Sequence, residues 1–213
     1  MLSLDAALGI APARVRTAHI ARDVSRACAD GRAWCVTSPV TPPRLWHMVS
    51  EAVGAGFETT LGDARGGEPA LQRALGAGAQ AIARLQGVLV EPALPIDAQF
   101  AAFVAMGDVA LVTVSSGMRV YRARGGEPKR LMGSAHRSPG LSRGGMAVAT
   151  ERLTPGDLFV MGSRDAFGMR SIGSLATLLA RRPDAPVGEV CEAGLAPCRA
   201  AGTGVALVVI RVM

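Results

Sequence analysis

The sequence predicts an α+β protein, and three observations carry that expectation. Two stretches show the helical recurrence of apolar residues: Leu45, Met48, Val49, Ala52, Val53 and Phe57 within 44–60, and Leu71, Leu75, Ile82 and Leu85 within 70–85. Strand-sized apolar runs fall at 99–106, 109–114, 118–123, 146–152, 158–161 and 205–212, separated by turn residues. These elements come in groups and do not alternate regularly, which sets the chain apart from a doubly wound parallel sheet.

Taken in order, residues 1–18 show no clear element beyond a short strand near 13–18. Residues 24–28 and 33–36 read as a hairpin, because Asp30-Gly31 between them is a strong two-residue turn signal. Thr37-Ser38-Pro39-Val40-Thr41-Pro42-Pro43 reads as a loop, since its prolines argue against helix and central strand. The two helices follow; Gly76 and Gly78 either weaken the second or let another element approach it closely. Gly107-Asp108 and Ser115-Ser116-Gly117 both suit tight hairpins. Gly125-Gly126-Glu127-Pro128 reads as a turn, and 131–145, rich in Ser, Gly and Arg, as a loop. Thr154-Pro155-Gly156-Asp157 is a turn signal before the apolar run Leu158-Phe159-Val160-Met161. That run suits a strand covered on both faces, and Gly162-Ser163-Arg164-Asp165 lies where the chain leaves it. Helices are expected at 171–180 and 187–196, the second ended by Pro197, then the last strand at 205–212.

Composition narrows the function classes. With 213 residues and 49% hydrophobic content, the chain supports one sizeable core, so one domain over 1–213 is expected. No apolar run reaches the ~18 residues of a transmembrane helix, and the N-terminus lacks the basic start and apolar core of a signal peptide. The expectation is a soluble cytoplasmic protein without a membrane partner. The formal charge is +6, carried almost wholly by scattered arginines, with Lys129 the one lysine. No basic stripe and little aromatic surface stand behind that charge, which argues against nucleic acid and fits an acidic or phosphorylated protein partner. Cys28 and Cys35, like Cys191 and Cys198, stand too far apart for the short gaps of zinc ligands, so buried reduced thiols are expected.

The order of elements and four phrases resemble the metal-dependent PPM-type (type 2C) Ser/Thr protein phosphatases. Arg22-Asp23 followed by the Asp30-Gly31 hairpin and Trp34-Cys35-Val36 is similar to that family's first motif. Val114-Ser115-Ser116-Gly117-Met118-Arg119-Val120-Tyr121-Arg122 resembles its Gly-Asp-Ser-Arg strand, and Leu153-Thr154-Pro155-Gly156-Asp157 its Leu-x-Pro-Gly-Asp phrase. Residues 205–212 resemble its closing strand. The resemblance implies an α-β-β-α sandwich of two antiparallel sheets flanked by helices.

The family's chemistry needs carboxylates, because Mg²⁺ and Mn²⁺ are hard cations that prefer oxygen ligands and a two-metal site clamps both attacking and leaving oxygens. By the resemblance, Asp23 retains the first aspartate. The second motif falls on the stretch holding Ser38, the third on Ser163-Arg164-Asp165 and the last on Thr203-Gly204. Asp23 and Asp165 are then the weak metal candidates, and Arg164 places a positive charge where cations bind in the family. The degenerate cleft comprises Asp23, Ser38, Arg164, Asp165 and Thr203, with no catalytic residue and no cofactor assigned. Three plainer readings stand beside these. Asp23 is a surface acid beside Arg22 and Arg26, Asp165 is a helix N-cap or first-turn acid, and Arg164 either closes a salt bridge to Asp165 or Asp23 or reads a phosphate. The expectation is a pseudophosphatase of bacterial Ser/Thr signalling that binds a protein, a kinase or phosphoprotein among them. The alternative is a divergent Mn- or Mg-dependent phosphatase with shifted ligands from Asp23, Asp165, Asp63 and Asp157.

Overall fold

The computed structural model describes residues 2–62, 64–89, 96–132, 140–143 and 146–213. The strands are β1 Leu4–Ala11, β2 Ala13–Val15, β3 Ala18–Ile20, β4 Val24–Cys28, β5 Ala33–Val40, β6 Asp97–Met106, β7 Val109–Val114, β8 Met118–Arg124, β9 Glu127–Met132, β10 Val148–Arg152, β11 Leu158–Ser163 and β12 Val205–Val212. The helices are α1 Trp46–Leu61, α2 Gly67–Val88, α3 Met169–Arg181 and α4 Val187–Ala201. One sheet has the order β1-β12-β11-β8-β9 and the other β10-β7-β6-β5-β4, and every pairing is antiparallel.

Strand alternation divides the core into three layers. Inward-facing Phe103, Val112 and Trp34 meet Phe159, Met161 and Val208 between the sheets. The opposite face of one sheet, with Cys35, Phe100 and Ala102, packs under α1 and α2. The opposite face of the other, with Val160, Leu207 and Val209, packs under α3 and α4. This is the expected α-β-β-α sandwich. The run 158–161 is buried on both faces at the centre of its sheet, as its unbroken apolarity predicts. Leu141 fills the close approach that Gly78 allows: a Cβ there would come within 2.8 Å of the Leu141 side chain. The rest of the 131–145 stretch divides, with Leu131 and Met132 in β9 and 133–139 and 144–145 outside the described residues. Among the described residues, no helix is long and apolar enough to cross a membrane. All four cysteines are free and buried, and burial pushes the Cys191 thiol up to about 11.

Several sequence expectations are corrected, and prolines account for three of them. The stretch 37–43 is not all loop: β5 runs on through Pro39 to Val40, paired with β6. It can do so because β4 ends at the Val24–Thr37 pair, leaving Pro39 on a locally open edge where its missing N–H costs nothing. Pro128 likewise sits in β9, an outermost strand that the turn reading missed. Pro197 does not end α4, which continues to Ala201 and closes on left-handed Gly202. Burial of Cys198 in the final turn holds that end against the broken hydrogen bond. Pro197→Ala is therefore expected to raise stability by about 1–2 kcal/mol, part of the roughly 3 kcal/mol that an interior proline costs a helix; urea denaturation measures it.

Two other corrections concern strands. The N-terminal stretch forms β1, which pairs along its whole length with β12; its small residues carried no clear strand signal. Ser115-Ser116-Gly117 makes no hairpin, because β7 and β8 lie in different sheets. The Ser115 N–H donates to Phe100 O (2.8 Å), its hydroxyl accepts from Phe100 N–H (2.7 Å), and Met118 already pairs with Ser163 of β11. Gly117 lies where any Cβ would overlap the Gln99 carboxamide, so glycine lets the chain cross between sheets at that point.

A buried carboxylate bridged by arginine

That crossing marks one end of the sandwich, and the cleft residues gather there. Asp23 immediately precedes β4. Because Val24 pairs with Thr37, Asp23 falls opposite Ser38 at the next register position. Ser163 ends β11, and Thr203-Gly204 leads into β12. Asp165 lies in the 3-10 turn Arg164–Phe167 that follows β11.

Asp23 is fully buried, which corrects the reading of it as a surface acid. One carboxylate oxygen accepts from Arg22 Nε at 2.9 Å and the other from the Ser163 hydroxyl at 2.6 Å. Burial pushes its carboxyl above the usual carboxylate range, opposed by the Arg22 charge and by hydrogen bonds from Arg22, Ser163 and Ser38. Arg22 also reaches Asp165, Nη2 to Oδ2, at 2.9 Å. One guanidinium thus joins its neighbour Asp23 to a carboxylate 143 residues further along from Arg22. Burial alone would lower the Arg22 pKa, but pairing with Asp23 and Asp165 outweighs it and holds the group charged. Ser50 of α1 donates to Arg22 O at 3.3 Å, and a Cβ on Gly204 would stand 2.9 Å from the Arg22 Cβ. Helix, hairpin and last strand all converge on this arginine.

The expected salt bridge inside the cleft therefore exists, but its cation is Arg22, not Arg164. Arg164 is fixed through its backbone, whose N–H donates to Gly117 O at 2.7 Å. Its side chain is exposed and, among the described residues, has no ion-pair partner. Asp165 is half-exposed in the first turn of its 3-10 segment and makes no capping hydrogen bond; α3 starts later, after Gly168. Thr203 is half-buried, its N–H closing α4 on Cys198 O at 2.9 Å. Asp157 stands at the other end of β11, about 20 Å away at ~3.3 Å per residue. Arg122 and Arg124 clamp it there, so it cannot join Asp23. Asp63 lies outside the described residues.

Sequence reasoning left Arg22 and Ser163 out of the cleft, although Ser163 stood in the third-motif phrase. The motif reading quoted Arg22 beside Asp23, but nothing in the local sequence shows that it spans to residue 165. Among the described residues, no group of three or more His, Cys, Asp or Glu side chains is placed to hold a metal ion.

No protein-family profile matches the chain, and no curated protein matches it. Solved structures do. The Mycobacterium tuberculosis serine/threonine phosphatase PstP/Ppp is similar at TM-score 0.80 and 19% identity, covering 99% of each chain. The PstP catalytic domain in complex with two manganese ions is similar at TM-score 0.76 and 19% identity, over 100% of each chain. PppA, a key regulatory component of T6SS in Pseudomonas aeruginosa, is similar at TM-score 0.79 and 19% identity, covering 100% of this chain and 99% of its own. The PPM Ser-Thr phosphatase MsPP of Mycobacterium smegmatis is similar at TM-score 0.64 and 17% identity, over 97% of each chain. The element order, the two facing antiparallel sheets and these likenesses agree: the chain has the PPM-type phosphatase fold.

Proposed function

We propose that this chain is a catalytically inactive, phosphatase-like regulatory or scaffolding protein of bacterial Ser/Thr phospho-signalling, acting in the cytoplasm by binding a protein or phosphoprotein. The observation that carries this reading is the Arg22 guanidinium between Asp23 and Asp165. A divalent cation needs anionic oxygens that are free to face it. Here the two carboxylates at the cleft face a built-in cation, and hydroxyl residues stand at Ser38 and Thr203. This donor set does not fit two Mn²⁺ or Mg²⁺ ions. The exposed fork of Arg164, held at the rim by its backbone, is matched to phosphate oxygens and supports the phosphoprotein version of the partner.

A divergent metal-dependent phosphatase is the second reading, and the half-exposed Asp165 favours it. An exposed ion pair is worth only about 0–1 kcal/mol, so solvent cations compete readily for that carboxylate. Calorimetric titration of metal-stripped protein with millimolar Mn²⁺ and Mg²⁺ separates the two. The expected result is no two-site binding and no Mn²⁺-dependent hydrolysis of a generic phosphoester. Two-site binding, with hydrolysis that vanishes in Asp23→Ala, would instead establish the enzyme.

A further inference from the structure

The helical layer on the α3–α4 side carries four arginines, and they fall into two classes. Arg182 pairs with Glu189 at 2.8 Å, and Arg199 pairs with Glu192 through Nη2 and Oε1 at 2.9 Å. Arg170 and Arg181 have no acidic partner among the described residues, and Asp184 in the intervening connection does not reach either. Both unpaired arginines border one groove of about 710 Å³, whereas the two paired ones do not line it.

The lining along α3 is a helical stripe: Arg170, Gly173, Ser174, Thr177 and Arg181 recur at three and four residues on one face. At 1.5 Å per residue the two arginines stand about 16 Å apart along the axis. Pro197 of α4 forms the facing wall. Between the arginines the floor combines small Gly173, the hydroxyls of Ser174 and Thr177, and the apolar Leu178. Gly173 has open space where a Cβ would be, so another backbone can approach closely.

We propose that this groove docks an acidic segment of a partner protein, with carboxylates on Arg170 and Arg181 and its main chain against Ser174 and Thr177. The proposal rests on the partner-binding reading above and names the chemistry of the partner. Charge complementarity selects it: two desolvatable cations are left open while their neighbours are neutralised within the chain. Nucleic acid fits less well, because the groove has two isolated cations and no aromatic wall for stacking. A second copy fits less well, because a chain of formal charge +6 repels itself.

The test is fluorescence anisotropy of a labelled oligoglutamate against the full chain at low salt. The expected result is saturable binding that weakens about tenfold or more in Arg170→Glu/Arg181→Glu, and about twofold or less in the control Arg182→Glu/Arg199→Glu. Cooperative melting confirms that both variants fold. Equal losses in the two variants would overturn the proposal, as would the absence of wild-type binding. Tighter binding of a single-stranded RNA of equal charge, lost in the same groove variant, would assign the groove to nucleic acid instead. A loss that follows Arg164→Glu alone would place the acidic ligand at the cleft. That outcome ends the groove proposal but leaves the inactive-phosphatase reading intact, since the latter stands on metal binding and hydrolysis.

Discussion

Asp157→Ala is expected to destabilise the protein by about 3 kcal/mol at neutral pH, the lower end of the range for breaking a buried ion pair. The carboxylate is 1% exposed and accepts from Arg122, from Arg124 Nε at 2.8 Å and Nη2 at 3.1 Å, and from Thr154 N–H at 3.0 Å. Arg122 lies 5.4 Å from the Phe159 ring centroid and also reaches Glu151 at 3.3 Å and Arg152 O at 3.0 Å on β10. It therefore ties β8 in one sheet to β10 in the other. The turn itself is stitched to the end of β12, Gly156 N–H to Val212 O at 2.8 Å and Val212 N–H to Asp157 O at 2.9 Å. Without the carboxylate, Arg122 keeps its burial and loses its strongest partner.

The pH dependence has a definite sign. Burial alone would raise the Asp157 carboxyl, but the hydrogen bonds and charges of Arg124 and Arg122 outweigh it and hold it below the usual range. A depressed carboxyl contributes stability that is present above the unfolded pKa, about 3.9, and is lost as pH falls through the folded one. The wild-type advantage over Asp157→Ala should thus shrink in urea titrations below about pH 4. A difference that persists undiminished at low pH would show that shape, not charge, holds the turn.

How much of this was legible in the sequence depends on the range of the forces involved. The Pro-Gly-Asp turn and the buried strand after it were readable because each is set by a few neighbouring residues: Gly156 takes φ 88°, and 158–161 is apolar throughout. The helix pair was readable from its period. What misled were local rules overridden by neighbours distant in sequence. Pro39 and Pro128 break a strand only where the missing N–H faces a partner, and which side of a strand is open is a property of the sheet order. The strand β1 is legible only against β12, nearly 200 residues away. The cleft divides in the same way. Asp23, Ser38, Asp165 and Thr203 were picked out by phrase resemblance, and all four lie at one end of the sandwich. Arg22 was next to Asp23 throughout, yet its role depends on Asp165 arriving through the turn after β11, and on Gly204 leaving room for it.

Arg22→Ala is expected to cost about 3 kcal/mol at neutral pH, because it strands a fully buried carboxylate with hydroxyl partners alone. Nearly all of that cost belongs to Asp23; the half-exposed Asp165 contributes little. Burial already raises the Asp23 carboxyl, and the guanidinium is the strongest force against that rise. Deleting it raises the folded pKa further, so the folded variant holds its proton more tightly than the unfolded chain does. Stability of the variant should therefore be closest to wild type below about pH 4, fall as pH climbs through the unfolded value towards the folded one, and level off above it. Asp23→Asn added to Arg22→Ala should recover much of the loss at neutral pH, since an amide leaves no charge stranded. The same pair of variants tests the functional reading. If Arg22 is the cation that the two carboxylates were left to hold, removing it should let Mn²⁺ register in calorimetry on Arg22→Ala, and Asp23→Asn should abolish that binding. Unchanged stability across the pH range would mean that Arg22 does not neutralise Asp23, and the proposal that the cleft is closed to metal would lose its foundation.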